Sequence, residues 1–284
     1  MNVGRLATAS AAHDPADAAL GVAASGSGRA GTWPRRLLVA GRGLLVIVAA
    51  VGVWQAVVDT GFVSAHFLAS PSSIVASLDH GFASGTVTSD LGVSLYRVGI
   101  GWLIGCVLGY VVGMAIGSLH WLHELFNPIL EFIRPVSPVA LIPVAILLLG
   151  IGNASKFAIV AFACFWPVLL NTVGGVQSIS QHHRRIGRAL GFSRREEVVH
   201  VLLPGSLPDV FVGLRLAAGI AFVVIVAAEF VGATNGLGYL ILSAEQSFNT
   251  PLMYGAIVLL AFLGWVTNLI LVGVERSLIR WRVY

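Results

Sequence analysis

The sequence predicts an all-α membrane protein with six spans and both termini in the cytoplasm. Three observations predict it. Of the 284 residues, 57% are hydrophobic and only 11% are charged, whereas soluble domains carry about 25% charged residues. The apolar residues gather into long runs separated by short polar stretches, each run of the length a bilayer needs. Fourteen of the seventeen basic residues fall in segments that this topology puts inside: Arg5, Arg29, Arg35, Arg36, Arg42, Arg134, five between residues 180 and 208, and Arg276, Arg280 and Arg282. That is the positive-inside pattern. It also explains the net charge of +4 without invoking nucleic acid.

Residues 1–36 are rich in Ala, Gly and Ser and show no apolar periodicity. They read as a disordered cytoplasmic tail. Arg35 and Arg36 precede an apolar run, as in an export signal. The run is long, lacks a clear small-residue cleavage site and is followed by many more spans, so it reads as an uncleaved first helix, about 37–58. Residues 59–90 form a loop with Asp59, Asp79 and Asp90 and no Lys or Arg.

The second span, about 91–117, carries Gly101, Gly105, Gly109, Gly113 and Gly117 at every fourth position. Small residues let a neighbouring backbone approach in lipid, where the hydrophobic effect no longer drives packing. The stripe therefore predicts a helix-packing face, within one subunit or across a dimer. Arg97 stands one step earlier on it. His120–Arg134 reads as a short inner loop. Its His-x-x-His-Glu order is not that of a zinc protease, so no metal site is expected.

The third span is broken. Pro128, Pro135, Pro138 and Pro143 each remove a backbone donor. Irregular backbone at membrane depth survives where it is buried in protein or lines a cavity, so Pro135, Pro138 and Pro143 are candidates for a translocation pathway. The alternative is a helix that starts near Val139 with the prolines in the inner interface. Gly150–Ser155 is a tight outer turn before the fourth span, about 156–178. Lys156 is the sole lysine, and its surroundings fall short of a phosphate-binding P-loop at two positions. This chain is expected to bind no cofactor. Cys106 and Cys164 lie inside spans and read as packing residues.

The fifth span, about 208–231, contains Arg215 and Glu229, about 21 Å apart on a helix and thus out of mutual reach. Intramembrane charges point to function or to buried pairs. Glu229 and Arg97 both lie towards the outer ends of their spans. They either pair, line the outer mouth of a pathway, or have separate partners. A short interfacial helix is expected around Tyr239–Phe248, then a sixth span at about 253–274.

The polar stretch Ser180–Pro208 reads as two short helices joined at Gly191. Ser193 and Glu196 fit the capping-box spacing of the second, and Val198, Val199, Leu202 and Leu203 give it an apolar face. Pro204 is expected to end it, with the next span starting at Leu207-Pro208. Positive-inside charge alone would explain the arginines. A loop needing only charge has no use for two capped helices, so a docking element is the preferred reading. Its contact would be Ile186, Ala189 and Leu190, rimmed by the arginines, Arg184 and Arg188.

The run Arg188-Ala189-Leu190-Gly191, with Leu203-Pro204 about a dozen residues on, resembles the EAA loop of ABC-importer permeases. The likeness extends upstream through Arg134–Pro143 and Gly150–Lys156. Downstream it takes in Gly213–Arg215, Ala228-Glu229, Gly236–Tyr239 and Glu275-Arg276. It matches the nitrate/sulfonate/taurine/bicarbonate branch of the family. The resemblance implies the type I importer fold, with a first helix and periplasmic segment at 37–84, a permease core at 85–278 and a cytoplasmic end at 279–284. It implies a permease that is not itself an enzyme, sits in the bacterial inner membrane and pairs with a second copy. Two ATPase subunits carrying ATP and Mg would dock on the 180–208 coupling loops through Arg185, Ile186, Arg188, Ala189, Leu190, Gly191, Leu203 and Pro204. An extracytoplasmic binding protein would deliver a small oxyanion. Where the family has Glu-Ala-Ala, this chain has Arg185-Ile186-Gly187. A self-sufficient secondary transporter or channel is the alternative.

Overall fold

The computed structural model describes residues 32–62, 64, 67–179 and 191–279. The chain divides into two compact units, Met1–Trp54 and Gln55–Tyr284. Helix α1 (Thr32–Asp59) begins in the first and ends in the second. The second unit holds α2 (Pro71–Ala83), α3 (Thr86–Ser118) and α4 (His120–Ile133). A 3-10 turn (Val139–Leu141) leads into α5 (Ile142–Leu149), followed by α6 (Asn153–Ser178). Then come α7 (Arg194–Glu197), α8 (Leu203–Phe230), α9 (Leu237–Gln246) and α10 (Thr250–Leu278). Among the described residues, four helices are long and apolar enough to cross a membrane: α3, α6, the run Arg195–Phe230 and α10. Leu45–Asp59 and Val139–Leu149 are shorter apolar helices.

The glycine stripe sets the centre of the bundle. Every member of it abuts α6 in the same subunit. A Cβ at Gly101 would lie 2.6 Å from Val160 Cβ, at Gly109 2.6 Å from the Phe165 carbonyl, at Gly113 2.8 Å from Thr172 Cβ and at Gly117 2.9 Å from Val176 Cβ. At Gly105 it would strike the Ala161 carbonyl. The partners advance together along both helices, so α3 and α6 run parallel. Helix α8 packs on α6 the other way round: Gly213 sits against Pro167 and Val168, and Gly175 against Ser206 and Asp209.

Parallel α3 and α6 require the chain between them to climb back. Gly101 and Gly117 are about 24 Å apart along α3, and α4, the 3-10 turn and α5 make the return. Helix α4 packs Leu122, Phe126 and Leu130 against Ile116 of α3 and Leu169 and Val173 of α6, at the Gly117 end. Leu141, Ile142 and Ala145 pack with Ile159, Val160 and Ala163, nearer the Arg97 end.

Three stretches depart from the sequence reading. The expected 59–90 loop contains α2, whose start is fixed by Ser70 accepting the Ser73 N–H and by Pro71 in the first turn. The expected His120–Arg134 loop is α4. Leu122, Phe126 and Leu130 recur every fourth residue and supply a buried stripe that outweighs the polar residues between them. Pro128, counted in the break of the third span, lies inside this helix. Pro204 does not end a helix. Residues 194–230 are continuous through a π-helical turn at Val198–Leu202, where the Leu203 N–H reaches back to the Val198 carbonyl. That wider turn leaves Pro204 in the first turn of the next α-helical segment, where its missing N–H costs nothing.

Candidate functional site

Polar side chains from three helices converge at the Arg97 end. Arg97 and Glu229 form an ion pair at 2.8 Å and are 5% and 1% exposed. Of the readings open in the sequence, pairing is the arrangement found. A lone charge here would be prohibitive, so both ions are satisfied further. Arg97 Nε donates to Asn153 Oδ1 at 2.9 Å, Nη1 to the Asn235 carbonyl at 2.8 Å and Nη2 to Asn235 Oδ1 at 2.6 Å. Ser94 Oγ lies 2.9 Å from each Glu229 oxygen.

The same cluster holds the start of α9. The Gly236 N–H donates to Asp90 Oδ1 at 2.7 Å, the Leu237 N–H to Ser94 Oγ at 2.8 Å and the Gly238 N–H to Glu229 Oε2 at 2.9 Å. Three orphan donors of a helix N-terminus are thus capped by side chains of two other helices. Gly236 has φ +112°, and a Cβ there would strike the Glu229 carboxylate. Lys156, 4% exposed, sits beside this cluster. Its ammonium donates to the carbonyls of Ile151 (2.8 Å), Gly152 (3.3 Å) and Gly232 (3.4 Å), tying the end of α5 to the end of α8.

Arg215, the other charge inside α8, pairs with Glu275 of α10 at 3.0 Å. Asp90, Ser94, Asn153, Asn235 and Glu275 are site residues that the sequence reading misses. Asp90 and Ser94 had a legible signal, since Asp90, Ser94, Arg97 and Gly101 continue one helical stripe. Nothing local marks Asn235 or Glu275 as partners of residues so distant.

Arg134–Pro138 is a non-helical break between α4 and the 3-10 turn. The 3-10 turn, 3 residues long, and helix α5, 8 residues long, together rise about 18 Å from the break to the Gly150–Gly152 tip, where α6 begins. Helix α6, with 26 residues, is about 39 Å long. With that tip at one face of the bilayer, the break falls within the hydrocarbon depth of about 30 Å. Arg134, Pro135, Val136 and Ser137 are exposed on this chain, Pro138 is half-buried and Pro143 lies in the first turn of α5. A lipid-facing arginine at such depth costs about 2.5–3.5 kcal/mol even on the lenient insertion scales. Its place at the C-terminus of α4 returns only about 0.3–1 kcal/mol through the helix dipole. Water or a second protein surface at this face removes the conflict.

Of the docking residues, Arg185, Ile186, Arg188, Ala189 and Leu190 lie outside the described residues. Gly191 has φ +80°, a left-handed conformation that suits glycine. The capping box forms. The Ser193 N–H and hydroxyl donate to Glu196 Oε2 at 2.8 and 2.7 Å, and the Glu196 N–H donates to Ser193 Oγ at 3.4 Å. The Ser193 hydroxyl, and then its N–H, hold the Glu196 carboxyl below its ordinary value. Leu202 is buried, whereas Val199 is exposed. Leu203 and Pro204 open α8, so the remains of the loop and the Glu229 end of the bundle belong to one helix.

Residues 105–282 match the family model described as "Binding-protein-dependent transport system inner membrane component". A Bacillus subtilis protein provisionally assigned as an aliphatic sulfonates transport permease, SsuC, is 32% identical over 85% of this chain and 87% of its own length. The taurine transport system permease protein TauC of Escherichia coli is 32% identical over 88% of this chain and 92% of its own. The nitrate import permease protein NrtB of Synechococcus elongatus is 30% identical over 69% of this chain and 74% of its own.

Proposed function

Because the chain belongs to the family of binding-protein-dependent transport system inner membrane components, we propose that it is the membrane-spanning subunit of an ATP-driven importer of a small oxyanion. The cargo is of the aliphatic sulfonate, taurine or nitrate class, as in the names of its relatives, and a binding protein delivers it. The chain spans the bacterial inner membrane six times, with α1 and the α4–α5 return as the two spans beyond the four long helices. Both termini are cytoplasmic, and the Arg97 end faces outwards. Two copies pair, and each receives an ATPase subunit on its 180–208 loop. ATP and Mg belong to the ATPase.

One observation carries the mechanism: residues 195–230 form a single helix of 36 residues, about 54 Å long. Its inner end lies within the docking loop and its outer end holds Glu229. Closure of the ATPases displaces the inner end, and a continuous helix carries that displacement to the outer end as a rigid body. There the Arg97–Glu229 pair and the cap of α9 hold the outer face in a defined arrangement. The pathway runs along the exposed break at Pro135, Pro138 and Pro143, towards Arg97 and Glu229. Exposed irregular backbone at membrane depth supports that course.

The test is purification of the chain from its native membranes in mild detergent. The expected complex contains a P-loop ATPase at one copy per permease and takes up substrate in vesicles only with ATP. A homogeneous complex of this chain alone that transports without ATP would contradict the reading and favour a secondary transporter.

A further inference from the structure

We propose that Arg134 and Ser137 form an anion-binding site in the break, which the oxyanion occupies during its passage. The inference rests on the reading that the break lines the pathway.

The cations of α3, α6 and α8 are already committed. Arg97 is held by Glu229, Arg215 by Glu275, and Lys156 by three carbonyls. Arg134 differs from all three. It is exposed, and it makes no hydrogen bond or ion pair through its side chain among the described residues. The arginine fork offers parallel N–H donors at the spacing of two oxygens on one centre, whether carboxylate, sulfonate or nitrate.

Glu131, one turn back on α4, forms no ion pair with it, and the backbone that follows offers donors. Pro135 and Pro138 have no N–H, and the Val136 N–H is used on the Ile133 carbonyl at 2.9 Å. That leaves Ser137, whose N–H and hydroxyl are exposed and have no partner among the described residues. A transport site must bind well enough to admit its ion and weakly enough to release it. An exposed arginine beside one serine meets that need. The buried Arg97, which already makes four hydrogen bonds, does not.

The experiment uses the complete transporter, with its ATPase and binding protein, in proteoliposomes. Uptake of a simple alkanesulfonate, of taurine and of nitrate is measured per assembled complex. R134Q is expected to lower uptake of whichever anion the wild type carries by about tenfold or more, the loss of a charge-assisted contact. R134K is expected to keep part of it, and S137A to lose less than R134Q. Wild-type uptake by R134Q overturns the site and leaves the importer reading standing. Wild-type vesicles that move none of the three anions with ATP overturn the oxyanion reading and the site with it. If R134Q fails to assemble, R134C is treated with a water-soluble thiol reagent; Cys106 and Cys164 are buried and give little background. The expected result is labelling that the transported anion slows. Labelling that is absent, or indifferent to the anion, overturns the site.

Discussion

Arg97 on α3 and Glu229 on α8, 132 residues apart in sequence, meet through a 2.8 Å ion pair at one end of the bundle. The pair does more than neutralise two charges. Glu229 also accepts the Gly238 N–H and the Ser94 hydroxyl, while Arg97 holds Asn153 and Asn235. Four elements are pinned by two side chains.

Removing one partner strands the other. R97Q or E229Q alone is expected to cost about 3–5 kcal/mol. The double variant should cost clearly less than the sum, because neither charge is then left unpaired. Thermal unfolding in detergent, read as a double-mutant cycle, checks this. Strict additivity would show that the two residues are not coupled.

The glycine stripe makes a position-specific prediction. At Gly105 an added Cβ strikes the Ala161 carbonyl, a backbone atom that cannot swing away. G105A should destabilise by about 1–3 kcal/mol through overpacking. At Gly99, on the same helix, an added Cβ meets nothing within 4 Å. G99A should be neutral or mildly stabilising, since alanine is the better helix former. Equal melting temperatures for the two variants would contradict the packing described for α3 and α6.

Gly236 combines a φ of +112° with a Cβ direction blocked by Glu229. G236A should cost about 1–3 kcal/mol in backbone strain and loosen the start of α9. Hydrogen exchange should accelerate at Leu237 and Gly238, whose amides are capped by Ser94 and Glu229, and stay unchanged in the middle of α6.

The Ser193–Glu196 cap gives a pH dependence of known sign. Its hydrogen bonds favour the ionised Glu196, so the folded carboxyl titrates below the unfolded one. The cap is fully formed above the ordinary glutamate pKa of about 4.3 and is lost as pH falls through the lower folded value. A carbon-13 titration of Glu196 should have a lower midpoint in the wild type than in S193A. Identical midpoints would refute the cap.

Much of this arrangement is legible in the sequence. The glycine period announces close helix packing because small residues are the only ones that admit a neighbouring backbone. Ser193 and Glu196 announce a cap because its partners lie three residues apart. The tight turn at Gly150 and the helix after Gly236 follow from local composition. Other features have no local signature. Nothing near Arg215 points to Glu275, and nothing near Asp90 points to the amide of Gly236; those partners meet only once α3, α8, α9 and α10 are packed. Pro204 misleads because a π turn, set by the surrounding helix, absorbs a residue that normally ends one. Helix α4 is hidden by the charged and polar residues among its apolar stripe, and its exposure changes the meaning of Arg134. In the sequence that arginine counts as one more inner-loop charge. In the structure it stands exposed at the break between α4 and the 3-10 turn.

In the proposed importer the loop at 180–208 couples ATP hydrolysis to movement of α8. The most direct measurement is ATP-driven uptake by the reconstituted complex, with a spin-label or fluorophore pair reporting the distance between α8 and α3 near Glu229 and Arg97. ATP is expected to change this distance, G191V to abolish both the change and uptake, and the ATPase subunit alone still to hydrolyse ATP. Uptake that proceeds in G191V with a full distance change, or uptake by this chain without any ATPase, would contradict it.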